Sequence, residues 1–215
     1  VARFSVRRLH FGRRPDADAE DNGEGLPTPT RIKLAARRAA GIAEAEAVLE
    51  QLPGPGESLH ALCTARMDLT DVIGALLDRL GRCDRLLVAT LGYNRRNLAT
   101  LLDWLDRGQA GALALVASKF FRAHNGELWA ETVAEFRRRK QRAACCDSHA
   151  KVATLAFTSG ATLCIEGSAN LCGNGSGREQ FALINDPGLH RWHSDWIDAL
   201  VTKHEGDAGP SPDAG

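Results

Sequence analysis

Two strand-length apolar runs constrain this chain more than any other feature. Residues 84–91 (DRLLVATL) and 111–117 (GALALVA) are apolar almost throughout, without the alternation of a half-exposed strand. Strands of that kind need cover on both faces. Between them, residues 94–106 carry Leu98, Leu101, Leu102, Trp104 and Leu105 at helical spacing, as residues 69–80 do with Val72, Ile73, Leu76, Leu77 and Leu80. A strand over 58–64 and a third helix over 126–140 complete the alternation. This order predicts a parallel α/β unit with right-handed crossovers.

Beyond residue 140 the pattern changes. Residues 142–146, 149–157, 161–166 and 179–185 read as four strands with no helix between them, and Thr158-Ser159-Gly160 reads as a hairpin turn. A last helix over 189–204 places Trp192, Trp196, Ile197, Leu200 and Val201 on one side. The expected fold class is α/β, an α/β/α sandwich with a mixed, largely parallel sheet. Residues 57–204 form the main domain in this reading. Ahead of it lie a disordered or loosely docked arm (1–30) and an Ala-rich helix (31–52) that stops at a hinge-like Leu-Pro-Gly-Pro-Gly; a frayed tail (205–215) follows.

Lys plus Arg and Asp plus Glu both number 27, so any pull on a polyanion must come from local clustering. A hydrophobic share of 44% and a charged share of 25% are those of a soluble globular protein. No apolar stretch approaches the roughly 20 residues that span a bilayer, and the first residues lack the apolar core of a secretory signal, so a cytoplasmic location without a membrane partner is expected. Cys63, Cys83, Cys145, Cys146, Cys164 and Cys172 form no Cys-x-x-Cys pair, which argues against a zinc knuckle and for buried reduced thiols.

Chemistry-bearing side chains gather at the ends of the later strands: His149-Ala-Lys151, then Gly167-Ser168-Ala-Asn170, then Glu179. Alternation along a strand puts His149 and Lys151 on one face, and a hairpin returns Asn170 toward the same spot. An imidazole is a nucleophile that needs no deprotonation at neutral pH, while ammonium and amide groups donate to phosphate oxygens. Together they describe a phosphoryl-transfer pocket that needs no metal.

These residues resemble the phospholipase D superfamily, whose signature is His-x-Lys, four residues, Asp, then a Gly-Ser-x-Asn turn. The resemblance is specific over about residues 142–186 and points to its endonuclease-like branch with a single His-x-Lys motif. It implies that His149 forms a phosphohistidine, that Lys151 and Asn170 hold non-bridging oxygens, and that Ser168 adds a hydrogen bond near the turn. Glu179 would fix the histidine tautomer, and no cofactor is implied. The leaving oxygen takes its proton from a second motif histidine in this family. Here none of His10, His60, His124, His190, His193 and His204 is followed by Lys two residues later, so a homodimer is expected to complete the site. The sequence departs from the signature at Ala156, where the family has Asp, and in a gap to the Gly-Ser turn longer by four residues. Both departures concern the hairpin around Ser159-Gly160.

Nucleic acid, DNA before RNA, is the expected partner. Arg95 and Arg96, and Lys119 and Arg122, follow two strands at the carboxyl edge, where open α/β sheets bind ligands. Arg137, Arg138, Arg139, Lys140 and Arg142 form a denser cluster ahead of the motif. The leading functional expectation is a metal-independent phosphodiesterase, most simply an endonuclease. The alternatives are a lipid phosphodiesterase or phosphatidyltransferase and an inactive nucleic-acid-binding module. The Gly173–Gly177 loop is expected to be a flexible crossing, and His190 and His193 to be ordinary residues of an amphipathic helix rather than metal ligands.

Overall fold

In the computed structural model, which describes residues 4–6, 39–63, 67–172 and 179–205, a single sheet lies between two helical layers. In chain order the elements are β1 (Phe4–Val6), a helix α1 over 39–48, β2 (Ser58–Cys63), α2 (Leu69–Leu80), β3 (Cys83–Thr90), α3 (Arg95–Asp106) and β4 (Ala110–Ser118). There follow α4 (Lys119–His124), α5 (Gly126–Arg138), β5 (Arg142–Cys146), β6 (Val152–Phe157), β7 (Thr162–Gly167), β8 (Glu179–Ile184) and α6 (Pro187–His204).

The strand order is β1-β2-β8-β7-β6-β3-β4-β5. The two apolar runs form the centre of the parallel block, β3 against β4 and β4 against β5. β6 turns the direction over by pairing antiparallel with β3, and β7, β8 and β2 continue antiparallel. The α/β/α class with a mixed sheet therefore holds, but the sheet is not largely parallel: the parallel pairs among the described residues are β1-β2, β3-β4 and β4-β5. The physical reason lies after β5. Without a helix, the chain has no crossover to carry it back for another parallel strand, so hairpin pairing takes over.

The larger core lies on one face of the sheet. Val72, Ile73 and Leu76 of α2 and Leu101 of α3 are fully buried there, joined by Trp104 and by Trp129 and Phe136 of α5. Each such aliphatic side chain contributes about 1.5–3 kcal/mol on burial. On the other face α6 crosses the sheet and buries Ile197 and Val201 against Leu87, Val116 and Ala144. Capping boxes start α2 (Asp68 with Asp71) and α3 (Asn94 with Asn97). Each N-cap is worth about 1 kcal/mol.

The sequence boundaries of α2 are reproduced, and those of α3, α5 and α6 shift by a residue or two at their ends. Four features differ from expectation. Strand β6 begins at Val152, so His149 and Lys151 precede it in irregular backbone instead of alternating along it. Residues 119–124, to which the sequence pattern assigns no element, form a short helix capped by Ser118. The turn at 52–56 is pinned rather than hinged: Gly56 N donates to Asn185 O (2.7 Å), Asn185 Nδ2 donates to Pro53 O (3.0 Å), and Ala45 and Val48 of α1, with Leu49 just after it, join the main core. Phe4–Val6 and Glu205 pair with β2 and with Ala144, so the arm and the tail each contribute to the sheet at those positions. The rest of the arm, residues 31–38 of the Ala-rich helix, the Gly173–Gly177 loop and the tail beyond 205 lie outside the described residues. Cys83, Cys145, Cys146 and Cys164 are buried free thiols, and Cys172 is a half-buried one. Burial raises the thiols of Cys83 to about 11 and of Cys164 to about 12, which leaves them protonated and unreactive.

Candidate active site at the carboxyl edge of the sheet

Strand direction decides what meets at each edge. β3, β4 and β5 end at the same edge where antiparallel β6 and β8 begin and β7 ends. That edge therefore receives Leu91, Lys119, the 147–151 segment, the Gly167–Asn170 turn and Glu179. All five motif residues belong to it.

Gly167 fits the two sides together. Its N–H donates to Lys151 O (3.2 Å), placing the Gly-Ser turn beside the motif lysine. A Cβ at this position would lie 2.2 Å from Gln180 O and 2.8 Å from the Phe181 Cα, so β8 can approach this closely only against glycine. That approach locks Ser168. Its N–H donates to Gln180 O (2.9 Å), its hydroxyl accepts from Gln180 N (3.0 Å), and the same hydroxyl donates to the Glu179 carboxylate.

Lys151 Nζ donates to His149 Nδ1 and to His149 O, both at 2.9 Å. With Nδ1 accepting, a neutral ring carries its proton on Nε2. His149 is exposed, and Lys151 is half-buried. Desolvation holds the Lys151 ammonium below its ordinary pKa, and the Glu179 carboxylate opposes that shift. Glu179 thus bears on the site through Ser168 and through its field at Lys151. Asn170 is 6% exposed, and its Oδ1 accepts from Leu91 N (3.3 Å). With Oδ1 so engaged, Nδ2 is the atom that can donate to a bound anion. Ala156 sits within β6 opposite Thr162, next to the hairpin and a strand's length from His149. The signature departure there touches the hairpin and not the site.

Several groups that hold the edge together carried no motif in the sequence. Thr90 Oγ1 accepts from Leu171 N (3.3 Å), and Ser118 Oγ donates to Leu91 O (2.7 Å) while accepting from Phe121 N (2.9 Å). Leu91 therefore bonds Asn170 on one side and Ser118 on the other. Asp68, buried at the start of α2, accepts from Asn97 Nδ2 (3.1 Å) and Asp71 N (3.1 Å) and pairs with Arg96. Its only sequence signal is the Asp-x-x-Asp cap, which says nothing of Arg96. On the opposite face His193 is buried, with Nε2 2.9 Å from Glu166 Oε2 and Nδ1 accepting from Trp196 Nε1 (3.0 Å). Its role is to staple α6 to β7.

The basic residues divide between the two edges. Arg95, paired with Glu131, and Arg96, Lys119 and Arg122 belong to the site edge; Lys119 lies 3.7 Å from Asp147. Arg137, Arg138, Arg139, Lys140 and Arg142 do not. They lie where α5 ends and β5 begins, a full five-residue strand from the motif, roughly 16 Å away. Arg138 pairs with Glu135 (2.9 Å), Arg139 with Asp106 (2.7 Å) and Glu135, and Arg142 with Glu205 (2.8 Å).

No family model matches the sequence, and no curated protein matches it. Solved structures do. Polyphosphate kinase from Porphyromonas gingivalis superposes with a TM-score of 0.50 at 12% identity, over 79% of this chain and 28% of that one. Nuc from Salmonella typhimurium, a phospholipase D family member, gives 0.49 at 11% identity over 69% of this chain and 95% of its own. NucT from Helicobacter pylori gives 0.47 at 14% identity over 70% and 99%. At these identities the likeness is one of fold.

Proposed function

We propose that the protein is a phosphodiester hydrolase acting on nucleic acid through a phosphohistidine at His149. The observation that carries this reading is the convergence of His149, Lys151, Ser168, Asn170 and Glu179 on one edge from three separate stretches of chain. Nothing in the packing of the core requires a lysine, a histidine and an asparagine to share that edge.

In the proposed reaction a ring nitrogen of His149 forms a bond to phosphorus as the bond to the leaving oxygen breaks. Lys151 exchanges its contact with Nδ1 for a non-bridging oxygen, and Asn170 Nδ2 donates to another, so fixed positive charge meets the negative charge that builds up. Release of Nδ1 from Lys151 lets the ring change tautomer, with Glu179 as the nearby carboxylate to receive the proton-bearing nitrogen. The leaving oxygen takes a proton from His149 of a second copy of this chain across a two-fold axis. Water then attacks the phosphohistidine and restores the imidazole.

The residues that perform these steps supply all the charge the transition state needs, so cleavage of single-stranded DNA is expected in excess chelator and is lost in His149→Ala. Release of choline from phosphatidylcholine with no cut DNA would assign the site to lipid instead. DNA retention unaffected by His149→Ala, with no cleavage by either protein, would leave a binding module. A strictly monomeric protein that turns over would overturn the shared site.

A further inference from the structure

We infer that α4 is a base-stacking platform that makes the site select single-stranded over duplex nucleic acid; this deepens the reading above and rests on it. Phe120 is 63% exposed, which is unusual for a large aromatic at the rim of a charged site. Its ring lies 4.2 Å from the His124 ring at an interplanar angle of 37°, and His124 Nδ1 donates to Phe120 O (2.8 Å). The two rings therefore stack on each other at a tilt, which fixes the Phe120 ring against its own helix turn and leaves the rest of that ring open to solvent.

This surface is rigidly attached to the site. Phe121, the next residue, is buried against Tyr93 with ring centroids 4.3 Å apart. The helix cap Ser118 bonds Leu91 O, and Leu91 N bonds Asn170. Along the edge β4 stands two strands from β6, about 10 Å from Lys151. Lys119 and Arg122, on the same short helix, supply cationic charge beside the rings. A π face flanked by cations is the arrangement that binds the backbone and base of an unpaired strand, and every base can use it. In a duplex the base faces are already stacked and unavailable, so the platform favours single strands.

The test measures binding of a fluorescein-labelled oligo-dT strand and of a duplex of equal length by anisotropy, for wild type, Phe120→Ala and Phe120→Trp, in chelator at low salt. Phe120→Ala is expected to weaken single-strand binding by about 5- to 150-fold, to leave duplex binding within about twofold, and to be rescued by Phe120→Trp. Equal losses on both substrates, or no loss, would overturn the platform. Wild-type protein that does not bind the single strand would do the same. Sedimentation with phosphatidylserine vesicles provides a further arm: loss of vesicle binding in Phe120→Ala with DNA binding intact would make the patch a membrane contact. Hydrolysis of a methyl nitrophenyl phosphodiester separates the two levels. Phe120→Ala with no stacking defect and His149→Ala without hydrolysis refutes the platform alone, whereas unaltered hydrolysis in His149→Ala refutes the catalytic reading.

Discussion

At the carboxyl edge of the sheet Lys151 stands half-buried against an imidazole, whereas at the amino edge Arg138, Arg139 and Arg142 each lie against a carboxylate. The amino edge carries the denser run of basic residues in the sequence. Its charge is largely spent on neighbours: Arg139 holds Asp106 and Glu135 below the ordinary carboxylate range. At the carboxyl edge the ammonium is partly stripped of water, which strengthens its interaction with any anion that enters. Positive charge becomes useful through what surrounds it, and a count along the chain does not measure that.

The largest expected effect tests whether the carboxyl edge is the reactive one. On the proposed mechanism His149→Ala lowers turnover by at least about 10³-fold, because a covalent nucleophile would have no substitute, and chemical quench on labelled DNA reads the loss. A variant within tenfold of wild type would move the reaction elsewhere. Next comes the glycine that joins the Gly-Ser turn to β8. Gly167→Ala drives a methyl group into Gln180 O, costs about 3 kcal/mol in urea unfolding and displaces Ser168 from Glu179. Unchanged stability would mean that the close approach of the two strands is not needed.

A smaller effect separates the edges directly. Lys119→Ala reduces the slope of log affinity for DNA against log salt by about 1, while Arg138→Ala leaves it unchanged, since Arg138 lies at the opposite edge, a strand's length from the motif. Equal effects would show that DNA runs over both edges. The smallest concerns pH. Because desolvation depresses the Lys151 pKa, its charge is lost earlier as pH rises, and turnover should fall on an alkaline limb below the usual lysine value of about 10.4. Lys151→Arg keeps its proton and shifts that limb upward in whatever activity remains. The same depression makes stability rise with pH between the folded-state pKa and the ordinary one, since the unfolded chain binds the proton more tightly there. An identical limb in both proteins would remove Lys151 from the anion site.

Sequence patterns carry far where the physics is local. Helical periodicity and the apolar runs determined α2, α3, β3 and β4 nearly to the residue, because the spacing of buried side chains along one element records which face is covered. The His-x-Lys and Gly-Ser-x-Asn residues were recognisable for the same reason: each group lies within a few residues of its partner. The four strands after residue 140 and their hairpin were legible too, but the placing of β6 beside β3 and of β2 beside β8, and the pinning of the turn at 52–56 by Asn185, were not, since they join segments far apart in sequence.

The chain by itself therefore determined the α/β class, the core and the identity of the residues offered for chemistry. Only the tertiary structure decided which of them meet. Reversal of direction at β6 brings six strand termini to one edge, sends the arginine cluster to the other, and leaves Phe120 exposed beside the site. The missing helix after β5 announces the reversal locally, but the choice of β3 as the partner of β6 is made between distant segments, and no local pattern encodes it.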